Sequence, residues 1–130
     1  MSSVLLDTHV VHWWSSEPER ISRPAQRVLE AADEMLIAAV SWYELAWLAE
    51  RERIVVDIPI RSWLEQLGAQ LRTIGITPAI ADTAVGLPSS FPRDPTDRMI
   101  YAAAIEYGVK LVTRGRAIAA YDAPRSLVVW

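Results

Sequence analysis

Apolar and polar positions fall into two kinds of block along the chain. Val4-Leu5-Leu6, Met35 to Val40 and Val109 to Thr113 are short, almost wholly apolar runs, the pattern of strands buried on both faces. Between them lie stretches with helical character. Asp7-Thr8 opens one that continues through His12 and Trp14. Ser22-Arg23-Pro24 has the cap and first-turn proline of a helix start, and that helix is predicted to reach about Ala32. Ser41 begins another, through about Glu52. Ile60, Trp63, Leu64, Leu67, Leu71 and Ile74 recur at helical spacing, so one helix is predicted over 60–74, ended by Gly75. Ile54-Val55-Val56 and Ile76 read as short extended pieces. Thr77-Pro78 turns into a short helix ending near Leu87-Pro88, and the Ser89 to Pro95 segment reads as a loop. Asp94-Pro95 starts a helix to Tyr107, stopped by Gly108. A short helix around Ala117 and a strand from Ser126 to Val129 complete the reading.

Strand and helix in alternation, with fully apolar strands, predict an α/β fold built on a parallel sheet. No repeat, low-complexity tract or linker divides the chain, and 130 residues suit one domain over 1–130. In such sheets the working residues lie just past the carboxyl ends of the strands. Here those positions hold Asp7, Ser41 and Thr113-Arg114-Gly115.

Composition changes this picture only at the margins. Apolar residues make up 52% and charged residues 22%, which excludes disorder. No apolar run reaches the length of a membrane helix and no leader pattern opens the sequence, so the expectation is a cytoplasmic protein without membrane attachment. Cysteine is absent, which excludes disulfides and thiolate ligands. The net charge is −3, from 16 acidic and 13 basic residues, and this argues against bulk electrostatic binding of nucleic acid. Twelve of the thirteen basic residues are Arg, a choice that suits phosphate recognition but that codon bias produces equally well.

The acids carry the candidate chemistry, and each has a bland reading beside it. Asp7 follows the first apolar run and can serve as a helix N-cap. Glu44 lies three residues after Ser41, the spacing of a capping box, yet it stands in the apolar stretch Trp42-Tyr43-Glu44-Leu45-Ala46-Trp47-Leu48. A carboxylate in such surroundings calls for a cap, a partner or a metal. Asp94 before Pro95 is a good N-cap, and Asp97 falls in the first turn behind it. Together, three helix starts each place a carboxylate at the same predicted sheet edge. Converging like charges raise one another's pKa unless a cation compensates, and hard oxygen donors suit Mg²⁺ or Mn²⁺. His9 and His12 lie three apart without further nitrogen or sulfur ligands, a poor zinc site, and are read as packing or surface residues.

Four segments then resemble a known family. Leu5-Leu6-Asp7-Thr8-His9, Ser41-Trp42-Tyr43-Glu44-Leu45-Ala46, Asp94-Pro95-Thr96-Asp97-Arg98-Met99-Ile100 and Leu111-Val112-Thr113-Arg114 are similar, in order and spacing, to PIN domains of the VapC-type ribonuclease toxins. The resemblance implies a single PIN-like domain with a parallel sheet of about five strands. It also implies a Mg²⁺- or Mn²⁺-dependent endoribonuclease cutting single-stranded RNA, a cognate antitoxin and a homodimer. Asp7, Glu44 and Asp97 match the family's catalytic and metal-binding acids, and Asp94 matches an auxiliary one. Glu44 is the acid expected to orient the attacking water. Arg93, Arg98, Arg114 and Arg116 are the expected backbone-positioning cations. One departure stands out: the family commonly carries a fourth acid two residues after the strand-ending Thr, and here that residue is Gly115.

Two other readings compete. Gly115 allows a partner-binding protein with a weakened or lost nuclease site, and five tryptophans, Trp13, Trp14, Trp42, Trp47 and Trp63, supply aromatic surface for an interface as well as for a core. Adjacent Trp13 and Trp14 cannot both face the core equally, so at least one is expected nearer the surface. A receiver-type phosphoacceptor domain also gathers acids at strand ends but needs a late strand ending in Lys. Lys110, the only lysine, begins its strand instead.

Overall fold

In the computed structural model, which describes residues 2–130, the first apolar run is strand β1 (Ser3–Leu6) and the second is β2 (Glu34–Ala38). Strands β3 (Arg72–Ile74), β4 (Lys110–Val112) and β5 (Val128–Val129) complete one all-parallel sheet in the order β3-β2-β1-β4-β5. Seven α-helices connect them: α1 (Thr8–Ser16), α2 (Arg23–Ala31), α3 (Ala39–Glu50), α4 (Ile60–Gly68), α5 (Pro78–Gly86), α6 (Pro95–Tyr107) and α7 (Arg116–Asp122). A short 3₁₀ turn, Pro18–Arg20, links α1 to α2.

The sheet has two buried faces, and the pleat divides its side chains between them. Val4 and Leu6, Ile37 and Val112 pack into one core with Val10, Val11, Trp13, Leu45 and Trp63. Leu5, Leu36, Ala38 and Leu111 pack into the other with Ile80, Phe91, Ile100, Tyr101 and Ala102–Ala104. Neighbouring strand residues thus go to opposite cores, which is why the runs are apolar at every position. Among the described residues no helix is long and apolar enough to cross a membrane.

The structure redraws three predicted elements. The helix expected over 60–74 ends at Gly68, and residues 72–74 are strand β3. Leu67, Leu71 and Ile74 are all buried, so the helical spacing is real but comes from two elements. β2 would otherwise expose an open edge. Pairing Leu36, Ile37 and Ala38 with Arg72, Thr73 and Ile74 closes it. An Arg72–Glu34 ion pair at 3.1 Å and a Trp42 Nε1 hydrogen bond to Thr73 Oγ1 at 2.9 Å secure the strand. Ile54–Val56 and Ile76 lie outside the sheet: Ile54 is buried in the first core while Val55 is exposed. Helix α3 starts two residues before Ser41, with Ala38 at the N-cap position and no side-chain capping bond.

The chain visits β1, moves to β2 and β3 on one side, then crosses to β4 and β5 on the other. Connections leave β1 and β4 in opposite directions, so a crevice opens outside their carboxyl ends. Backbone geometry joins the two strands there: Asp7 N–H donates to Val112 O at 3.0 Å.

Candidate active site

Asp7 is the first residue past β1. Its extended backbone makes it the N-cap of α1, and its two oxygens are used differently. Oδ1 accepts the Thr8 N–H at 2.8 Å, while Oδ2 accepts the Thr113 hydroxyl at 2.6 Å from the end of β4. The cap reading is therefore correct and does not exhaust the residue, because one side of the carboxylate faces the crevice. Thr113 is buried and also receives the Gly115 N–H at 3.1 Å, so it ties the β4–α7 turn to the carboxylate.

Glu44 arrives from the second turn of α3. The capping box expected for it does not form, because Ser41 is already inside the helix. Ser41 Oγ instead accepts the buried Thr8 hydroxyl at 2.9 Å, joining α1 to α3 and holding the two acid-bearing segments in register. Burial raises the Glu44 pKa. The nearby Thr8 hydroxyl opposes this, and the charges of Asp7 and Asp94 add to it.

Asp94 and Asp97 divide the work of one helix start. Asp94 caps α6, accepting the N–H groups of Thr96 at 2.8 Å and Asp97 at 3.3 Å. Asp97 is half-buried and its pKa is pushed up to about 7, first by burial and then by the charges of Asp7, Asp94 and Glu44. The three other acids act on one carboxylate together, which is electrostatic evidence that the four share one space.

That space is a cleft of about 440 Å³, lined by Asp7, Glu44, Asp94 and Asp97, with Arg114, Gly115 and Ile118 on the α7 side. Among the described residues, no three Asp, Glu or His side chains are drawn close enough to hold one ion as they stand. The acids surround the cleft rather than meeting at a point. The four carboxylates nevertheless fit a hard divalent cation: they are oxygen donors, among the described residues they share the cleft with a single guanidinium, and Mg²⁺ keeps several waters that fill such a gap. The cleft is a poor zinc site, since His12 is buried against Glu17, with Nε2 and Oε2 3.0 Å apart, and His9 is left as the one nitrogen or sulfur ligand among the described residues of the cleft wall.

The arginines part company. Arg114 reaches the cleft. Arg98, expected to position the RNA backbone, is not part of the cleft wall. Its guanidinium donates to the carbonyls of Pro92, Ala84, Leu87 and Pro88 at 2.8–3.0 Å, stitching the end of α5 to the start of α6. Arg93, next to Asp94 in the chain, lines an apolar groove between α5 and α6 and is not part of the cleft wall. Arg116 is exposed at the first turn of α7 and is not part of the cleft wall. Asp122, the other acid near the C-terminus, is buried and accepts the Tyr101 hydroxyl and the Val128 N–H, each at 2.7 Å. It cannot replace the acid missing at Gly115.

From sequence, His9 reads as a packing or surface residue and Trp13 as a core or interface residue, and neither is expected in the cleft. His9 and Trp13 both line it, with ring centroids 6.0 Å apart. The signal was their i, i+4 spacing behind Asp7, which stacks them on one helix face.

The PIN domain family model matches residues 4–124. Over all 130 residues, and over the whole of both chains, the sequence is 58% identical to Ribonuclease VapC22 of Mycobacterium tuberculosis. Two solved structures share the fold. A toxin–antitoxin complex from Klebsiella pneumoniae aligns with a TM-score of 0.70 at 23% identity, over 98% of this chain and 96% of that one. VapBC2 from Rickettsia felis, bound to a DNA fragment from its promoter, aligns with a TM-score of 0.70 at 15% identity, over 98% and 97%.

Proposed function

The chain belongs to the PIN-domain family, and on that premise we propose that it is a VapC-type toxin, an endoribonuclease that cuts single-stranded RNA with a divalent cation. One observation carries the reading: four carboxylates from three separate segments line one cleft at the point where the strand order reverses. The relative named as a ribonuclease, 58% identical over its whole length, supports it.

In this reading Asp7, Glu44 and Asp97 hold Mg²⁺ or Mn²⁺, directly or through water, and Asp94 assists from the helix cap. Such an ion supplies a Lewis acid for a phosphoryl oxygen and eases deprotonation of water. The chain's own residues do the rest. Thr113 fixes one Asp7 oxygen and so orients the other part of that carboxylate. Glu44, half-buried at the cleft, is the acid that orients the attacking water in this reading. Arg114 provides the cationic wall against the RNA backbone.

The partners in this reading are the RNA substrate, a cognate antitoxin and a second copy of the chain. Toxin–antitoxin complexes among the structural neighbours support the antitoxin. A cytoplasmic site of action accompanies the RNA substrate. A partner-binding protein with a dead site at Gly115 is the weaker reading, because four carboxylates remain in the cleft without it.

The test is cleavage of total RNA with Mg²⁺ or Mn²⁺, against EDTA and against Asp7→Asn. Cleavage abolished by both is expected. Cleavage that survives both overturns the metal mechanism.

A further inference from the structure

Beside the acids, the cleft has a second wall of different chemistry. His9 is exposed on α1 and lies on Trp13 with an interplanar angle of 29°. The Arg114 guanidinium lies over the same indole, 5.9 Å from its centroid, and the Arg20 guanidinium, paired with Glu17, lies over it at 4.9 Å outside the cleft. Trp13 itself is only 8% exposed and is held beneath them, with Trp130 packed against it at 5.8 Å. Indole contact thus braces two exposed groups that both face the cleft: a flat ring and a cation.

Arg114 is the informative one. It stands in a cleft with four carboxylates, yet it forms an ion pair with none of them among the described residues. Arg98, by contrast, lies outside the cleft wall and is spent on four carbonyls. A guanidinium held on an aromatic face and left without a carboxylate is available to a phosphate. An exposed ring next to it offers a stacking face to a base, which is how single strands are held without sequence-specific hydrogen bonds.

We propose that His9, Arg114 and the Trp13 beneath them form a nucleotide subsite flanking the cleavage position. Arg114 binds the backbone phosphate of a neighbouring nucleotide and the His9 ring stacks on its base. The subsite rests on the ribonuclease reading for its biological substrate, but its binding chemistry is separable from cleavage. Its class of ligand is a single-stranded ribonucleotide, since a base inside a duplex presents no free face.

The test uses the full chain carrying Asp7→Asn, so that RNA stays intact, in the presence of Mg²⁺. Two fluorescein-labelled probes are compared by anisotropy: a random-sequence RNA octamer and an octamer of ribose phosphate lacking all bases. Adding His9→Ala weakens the RNA about fivefold or more and leaves the baseless probe unchanged. His9→Phe restores the RNA affinity, because a phenyl ring also stacks. Adding Arg114→Ala weakens both probes alike and lowers the salt dependence by about one phosphate contact. Equal loss on both probes in His9→Ala, no loss on either, or no binding of RNA at all overturns the subsite. Cleavage of total RNA by the unaltered chain reports separately on the ribonuclease reading. Base-dependent binding without cleavage leaves the subsite standing and removes that reading; cleavage with no base-dependent loss does the reverse.

Discussion

Two withdrawn aspartates show how differently one fold treats the same side chain. At the α6–α7–β5 corner, Asp122 is 2% exposed and both of its oxygens are bonded, to the Tyr101 hydroxyl and the Val128 N–H. In the cleft, Asp97 is half-buried among three further carboxylates that push its pKa up to about 7. The first carboxylate is satisfied by the protein and acts as a fastener. The second is left wanting a cation. Arg98 and Arg114 repeat the contrast, one saturated by four carbonyls and one held on Trp13 facing the cleft. Saturated polar groups belong to the scaffold, and under-satisfied ones mark the place where a ligand completes the structure.

Substitutions in the two regions should have opposite outcomes. Asp7→Asn keeps a cap for α1 but removes a charge from the cleft. RNA cleavage should fall at least about 100-fold, as expected for loss of a metal ligand, while the thermal midpoint stays close to that of the parent. A midpoint that collapses along with activity would move Asp7 into the scaffold class.

Asp122→Ala should do the opposite. It strands the Tyr101 hydroxyl and the Val128 N–H, and a loss of about 2–4 kcal/mol is expected by urea denaturation. Cleavage per folded molecule should not change. A fall in kcat at full folding would show that the corner reaches the cleft.

Asp97→Asn separates stability from function through pH. The fold raises this pKa from 3.8 to about 7, so the native state holds the proton more tightly than the unfolded chain does. That contribution is fully present below about pH 4 and is lost as pH rises through about 7. Without metal, the variant should therefore be more stable than the parent at pH 8, by on the order of 1 kcal/mol once solvent screening is allowed for. The two should converge below pH 4. Equal stability at pH 8 would mean that neither burial nor the neighbouring acids disfavour the charged Asp97 side chain.

Gly115→Asp is the smallest and most diagnostic change. Gly115 has φ −62°, which any residue adopts, and an added Cβ would meet Ile118 Cδ1 at 3.3 Å, a side-chain tip that can give way. An aspartate there would cap α7, worth about 1 kcal/mol, and would add a fifth negative charge to the cleft at a similar cost. Little net change in metal-free stability is expected, with a larger rise of the melting midpoint on adding Mn²⁺ than the parent shows. An unchanged response to Mn²⁺ would show that position 115 lies outside the ion's reach.

The layered α/β plan was legible in the order of residues alone. Runs such as Val4-Leu5-Leu6 are apolar at every position because both faces of the sheet are covered, and that demand is local enough to read. The positions of Asp7 and Asp94 were equally legible, since an acid before a helix start is a cap whatever surrounds it. Tertiary structure decided the rest. Leu67, Leu71 and Ile74 keep a helical period although they span α4 and β3, because the open edge of β2 outweighs local propensity. Ser41 and Glu44 have the spacing of a capping box, but Thr8 claims the serine hydroxyl from another helix. Arg98 and Arg114 read alike in sequence. Only the carbonyls at the end of α5 and the indole of Trp13 distinguish them, because a guanidinium's role is set by the groups that reach it in space.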